Sequence, residues 1–68
     1  MQNQNNTIAA KHLTILGDQM QHEYIACKKA ECYASEFSDS QLKAVAQQLA
    51  SDHRMRFDRL YNYLSSHA

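Results

Sequence analysis

Phe37-Ser38-Asp39-Ser40-Gln41-Leu42 decides how this chain folds. Ser38 followed three residues later by Gln41 is a capping-box pattern. The Ser38 hydroxyl accepts from the Gln41 backbone N–H, and the Gln41 side chain reaches back to the Ser38 amide. Phe37 before the cap and Leu42 four positions after it make the matching hydrophobic staple. Asp39 falls in the first helical turn, where the helix dipole favours an anion. A long helical pattern ends just before this stretch and another begins in it. The reading is a single helical hairpin with its turn at 37–40.

Working back from the turn, one seam runs Leu13, Leu16, Met20, Glu23, Cys27, Ala30, Ala34, Phe37. Its spacings alternate three and four, the a/d pattern of helix-bundle packing. It narrows to small side chains at Cys27, Ala30 and Ala34, and one member, Glu23, is a carboxylate. Working forward, the second seam reads Leu42, Ala46, Leu49, His53, then Arg56 or Phe57, Leu60 and Leu64. Folding at the turn pairs residues whose numbers sum to roughly 79. Ala30 then meets Leu49, Cys27 meets Asp52 and His53, and Glu23 meets Arg56. Helix 1 is expected over about 7–37, capped by Thr7 or by Thr14, and helix 2 over about 39–65. The earlier start is preferred, although it carries Gly17 at a cost of about 1 kcal/mol relative to alanine. Residues 1–6 form a polar tract with nothing to bury and are expected to be disordered.

Composition agrees with an all-α hairpin. The chain has 68 residues, no proline, one glycine and 44% hydrophobic residues. A chain this short buries only about 60% of its extended surface, so it is marginal by itself. Apolar residues also lie off both seams: Tyr24, Ile25, Tyr33, Val45, Met55, Phe57 and Tyr61. Two helices cannot cover so wide an apolar surface. Pairing into a four-helix bundle as a homodimer is the expected remedy, through Leu13, Leu16, Met20, Ala30, Ala34, Leu49, Leu60 and Leu64. The helices are weakly opposite in sign. Helix 1 carries Asp18, Glu23, Glu31 and Glu36 against Lys28 and Lys29, and helix 2 carries Lys43, Arg54, Arg56 and Arg59 against Asp52 and Asp58.

The formal charge is zero, which gives no support for nucleic-acid binding or an anionic membrane surface. Arg54 and Arg56 lie about 200° apart on the helix, so the arginines near Tyr61 and Tyr63 share no single face. No apolar run approaches membrane-spanning length and no signal-peptide core is present, so cytoplasmic synthesis is expected. Cys27 and Cys32 point roughly 140° apart on one helix, which rules out an internal disulfide while the helix is intact. They read as two reduced thiols.

One polar layer is the candidate site: Glu23, Cys27, Asp52, His53 and Arg56. Ferritin-like bundles place inward Glu and Glu-x-x-His residues around two metal ions, so zinc or iron is one reading. Here Ala50 stands three before His53, and that motif is broken. The other reading is a buried Glu23–Arg56 ion pair with His53 bonded to a neighbour, and no cofactor. No nucleophile with a base, phosphate loop or zinc-finger spacing is present, and no catalytic residue is assigned.

From Ile15 to Tyr63 the chain resembles the coat-F-type spore coat proteins, a branch of the ferritin-like superfamily. The resemblance rests on Glu23-Tyr24-Ile25, Ala34-Ser35-Glu36 and Ser38-Asp39-Ser40-Gln41-Leu42-Lys43. Gln47-Gln48-Leu49, His53 and Leu60-Tyr61-Asn62-Tyr63-Leu64 extend it along helix 2. It implies an α-helical hairpin or bundle in a structural protein of the spore coat, without established catalysis and with other coat proteins as candidate partners. It also implies a place for metal ligands, carried here only by Glu23 and His53. The short hairpin phosphatases of sporulation phosphorelays look similar in outline. Ala46 and Ala50 stand where their Ser-x-x-x-Asp signature would be, so that activity does not carry over. The remaining alternatives are a degenerate ferritin-like metal binder and a small regulator that docks its hairpin on a partner protein.

Overall fold

The computed structural model describes residues 9–67. They form two helices, α1 (Ala10–Glu36) and α2 (Ser40–His67), packed along their length as an antiparallel hairpin. At 1.5 Å per residue each helix runs about 40 Å. The polar tract 1–6 and Thr7 lie outside the described residues. Helix α1 passes straight through Thr14 and Gly17, so Thr14 is not a cap. Its hydroxyl bonds back to the Ala10 carbonyl at 3.1 Å. Ala9 precedes the first turn without a side-chain cap. A methyl group at Gly17 would meet nothing within 4 Å, so packing does not require a glycine there.

The turn has the expected place and a different cap. Asp39, not Ser38, closes the start of α2. Its Oδ1 accepts from the backbone N–H of Gln41 at 2.8 Å and of Leu42 at 2.9 Å. A carboxylate serving two amides at the positive end of a helix gains charge assistance that a hydroxyl lacks. Shifting the cap by one residue removes the capping box, and with it the staple: Phe37 and Leu42 are both exposed. The other side of the turn is held by Lys43, whose ammonium donates to the Ala34 carbonyl of α1 at 2.7 Å. A cation there satisfies a carbonyl of the last turn and complements the negative end of the dipole.

The interior is a seam of small side chains. Cys27, Ala30 and Ala34 from α1 are buried with Ala46 and Ala50 from α2, and among the described residues no large side chain is fully buried. The α1 seam runs as expected through Leu16, Met20, Glu23, Cys27, Ala30 and Ala34. Helix α2 is rotated from the expected seam in its first half. Lys43, Ala46, Ala50, His53, Phe57, Leu60 and Leu64 face α1, while Leu42 and Leu49 are 51% and 49% exposed. Ala30 therefore packs with Ala50 and Cys27 rather than with Leu49. The reason is geometric. The rotation that sets Lys43 on the Ala34 carbonyl and His53 on Glu23 turns Ala46 and Ala50 inward and carries Leu49 about 100° away. Ala30 and Ala34 are consumed inside the hairpin and are not free for a second copy. Among large apolar residues, Leu13, Ile15, Tyr24, Ile25, Tyr33, Val45, Met55, Tyr61 and Tyr63 also stay exposed.

Asp39→Ala should lower the stability of the hairpin by about 0.5–2 kcal/mol, while Ser38→Ala stays within about 0.5 kcal/mol of wild type. Thermal melts followed by circular dichroism read both. A larger loss for Ser38→Ala would return the cap to that residue.

Candidate functional site

Half-way along the hairpin the small-residue seam is interrupted by Glu23. It projects from α1 into the interface and is 6% exposed. A carboxylate in such a place must be paired or neutralised. Its Oε1 lies 2.5 Å from His53 Nδ1 on α2, and its Oε2 accepts from the Gln19 side-chain amide at 3.1 Å. Arg56 stands further off, with Nη1 3.9 Å from Glu23 Oε1. The expected order of partners is thus reversed: His53 makes the close contact and Arg56 supplies a second, longer one. Arg56 also lies 3.3 Å from His53 Nδ1. One ring nitrogen cannot donate to Glu23 and accept from Arg56 together, and the shorter contact makes Nδ1 the donor to Glu23.

The His53 hydrogen bond is the chief reason that the Glu23 carboxyl titrates below its ordinary value. Burial pushes the other way, and Gln19 and the charges of His53 and Arg56 add to the lowering. The described residues contain no buried polar side-chain atom without a partner. The layer is satisfied within one hairpin.

The other two candidates do not join it. Cys27 lies one turn along the seam, buried, with its Sγ 3.8 Å from Glu31 Oε2. Burial, followed by the neighbouring Glu31 carboxylate, raises its pKa and keeps the thiol protonated. Asp52 accepts instead from the Gln48 side chain on its own helix at 2.9 Å. Gln19 is the member that sequence reasoning missed. Its signal was available, since it stands four residues before Glu23 on the same helix. Among the described residues no group of three or more His, Cys, Asp or Glu side chains comes together. Glu23 and His53 give two donors already bonded to each other, short of the three or four protein ligands of a zinc site. The arrangement of one hairpin does not fit a metal centre.

The remaining ion pairs, Lys28–Glu31 and Arg54–Asp58, are exposed and lie within one helix. On one flank Tyr24, Phe57 and Tyr61 form a short ring ladder, with centroids 5.9 Å and 6.5 Å apart. On the other flank Arg56, Arg59, Leu60 and Tyr63 line an open groove that reaches Glu23. No helix of the described residues is long and apolar enough to cross a membrane. No family model, curated protein or solved structure matches the chain.

Because the folded pKa of Glu23 lies below its unfolded value, its contribution is fully present above the ordinary value of 4.5. It is lost as pH falls through the lowered one. Glu23→Gln should reduce stability by roughly 1–3 kcal/mol at about pH 6 and flatten the acid limb of a melting-temperature profile taken down to about pH 3. An acid limb unchanged in slope would remove Glu23 from that role. Thiol labelling gives a separate check of the seam. Cys32 is exposed and Cys27 buried, so the native protein should take one alkyl group quickly and the second only at the rate of opening. Equal rates at both thiols would mean that the seam is not closed.

Proposed function

We propose that this protein is a non-catalytic structural or assembly element that works by associating with copies of itself through its helix faces. The observation that carries the reading is the mismatch between its inside and its outside. Apart from Glu23, the buried side chains among the described residues are alanine- and cysteine-sized, while a dozen large apolar side chains stand exposed along the helices and at the turn. Scattered apolar exposure is ordinary on a soluble surface. Exposure of most of the large apolar residues in a chain this small is a mark of an unfilled interface. The polar layer supports the same reading. Its members Glu23, His53 and Gln19 are bonded to one another within the hairpin, as a structural layer requires.

The likeness of Ile15–Tyr63 to coat-F-type spore coat proteins is in keeping with this role. It makes the spore coat the proposed site of assembly and other coat proteins the proposed further partners. Self-association into a four-helix bundle is the smallest assembly that would cover both helices.

Apparent stability should rise with protein concentration, because association binds the folded chain and not the unfolded one. Melting temperature over a hundredfold concentration series, paired with sedimentation equilibrium, should show both the shift and a mass above that of a monomer. A compact monomer at high micromolar concentration, with a melt independent of concentration, would overturn the proposal.

A further inference from the structure

Helix α2 carries a second stripe, separate from the one that faces α1. Leu42, Val45, Leu49, Asp52, Arg56, Arg59 and Tyr63 follow one another at alternating spacings of three and four, which keeps them on one side of the helix. Its apolar members are open: Leu42 is 51%, Val45 57%, Leu49 49% and Tyr63 44% exposed. Two of its three charged members flank the middle of a helix that runs from Ser40 to His67, and Arg59 lies about a turn further on. Asp52 sits just before the midpoint and Arg56 just after it.

That placement makes the stripe complementary to itself. Laid antiparallel against a second α2, with a two-fold axis near the helix midpoint, Asp52 of each copy lies opposite Arg56 of the other. The same register sets Val45 opposite Tyr63 and Leu49 along the aliphatic stem of Arg59. A parallel, in-register arrangement would instead set Asp52 on Asp52 and Arg56 on Arg56. Like charges across an interface are a strong bias against it. A two-fold contact of this kind uses one patch twice, which is how most closed dimers form.

Building on the self-association proposed above, we infer that this stripe is the surface on which a second copy docks, antiparallel, with the two-fold axis at the Asp52–Arg56 centre. The polar layer supplies an independent reason for the same place. The groove lined by Arg56, Arg59, Leu60 and Tyr63 opens to Glu23 on this flank, and the Arg56 side chain is 52% exposed. A second α2 on the stripe covers that groove and takes Arg56 out of solvent, where its attraction to Glu23 and to Asp52 of the second copy is less screened. The outer face of α1 offers no such fit. There Tyr24, Ile25 and Tyr33 share the face with Lys28, Lys29 and Glu36, and these charges lie toward the end of α1 and not about its midpoint.

The test is the solution mass of the full chain and three variants by sedimentation equilibrium, with helicity checked by circular dichroism. Leu49→Glu puts a carboxylate on the stripe and should weaken association at least tenfold. Asp52→Arg sets an arginine opposite Arg56 twice, and its weakening should shrink as salt is raised. It disturbs only an exposed hydrogen bond to Gln48, so it decides the matter if Leu49→Glu loses helicity. Met55→Glu, on an exposed position off the stripe, should associate like wild type. Unaltered association of helical Leu49→Glu, or of Asp52→Arg at low salt, would overturn the inference and leave self-association standing. A loss with Met55→Glu equal to that with Asp52→Arg would do the same. A monomeric wild type would overturn the underlying reading itself.

Discussion

Everything in this hairpin follows from the small side chains between its helices. Cys27, Ala30 and Ala34 against Ala46 and Ala50 let two backbones approach closely. Close approach brings a short, polar side chain such as His53 within reach of Glu23 across the interface. It also brings the Lys43 ammonium to the Ala34 carbonyl. The same choice limits the hairpin. Burying a full leucine or phenylalanine stabilises by about 1.5–3 kcal/mol, and alanine-sized groups contribute much less. A hairpin with this interior gains little of the apolar burial that usually offsets the entropy of ordering some 60 residues. Its large apolar side chains are in the sequence, and they point outward.

The turn is held from both sides by charge. Asp39 satisfies two amides at the start of α2, and Lys43 satisfies a carbonyl at the end of α1. Each helix therefore ends on a group of the sign its dipole prefers. The two residues are four apart at the start of one helix, so the cap that starts α2 also fixes where Lys43 emerges. The rotation of α2 about its own axis is then set within its first turn.

The hairpin and the buried place of Glu23 were legible because each rests on a long pattern. The three-four spacing of α1 persists over seven turns, and a charge within it has nowhere to go but the interface. The cap and the first half of the α2 seam were not legible, for a common reason. Ser38 with Gln41 and Asp39 with Leu42 are rival caps one residue apart, and the chemistry that separates them is the charge on the acceptor. Likewise Leu42 and Leu49 outweigh Lys43 and Ala50 on any hydropathy scale. What overrides them is the requirement that small face small across a close contact. Hydrophobic weight alone cannot express that requirement. Among the polar residues, Glu23, His53 and Arg56 come together and Cys27 and Asp52 do not. A shared layer in sequence fixes height along the helix and leaves direction around it open.

A buried carboxylate at mid-length is a poor device for stability. An apolar pair of similar size would avoid its desolvation. It is a better device for register. The small residues near the turn still offer some small-on-small contact after a slip of one heptad, Ala34 on Ala50 for example, so packing by itself is a weak bar to it. Glu23 does not accept it. After such a slip His53 would stand about 10 Å away along the axis, and the carboxylate would be buried with Gln19 alone. Arg56, one turn from His53 and only half in contact, sharpens the penalty, because its charge is felt over a longer distance than a hydrogen bond. Uniqueness of the hairpin thus resides in three polar side chains. Its weakness as a separate fold resides in the small residues around them. A chain built this way has one defined register and little apolar burial to hold it.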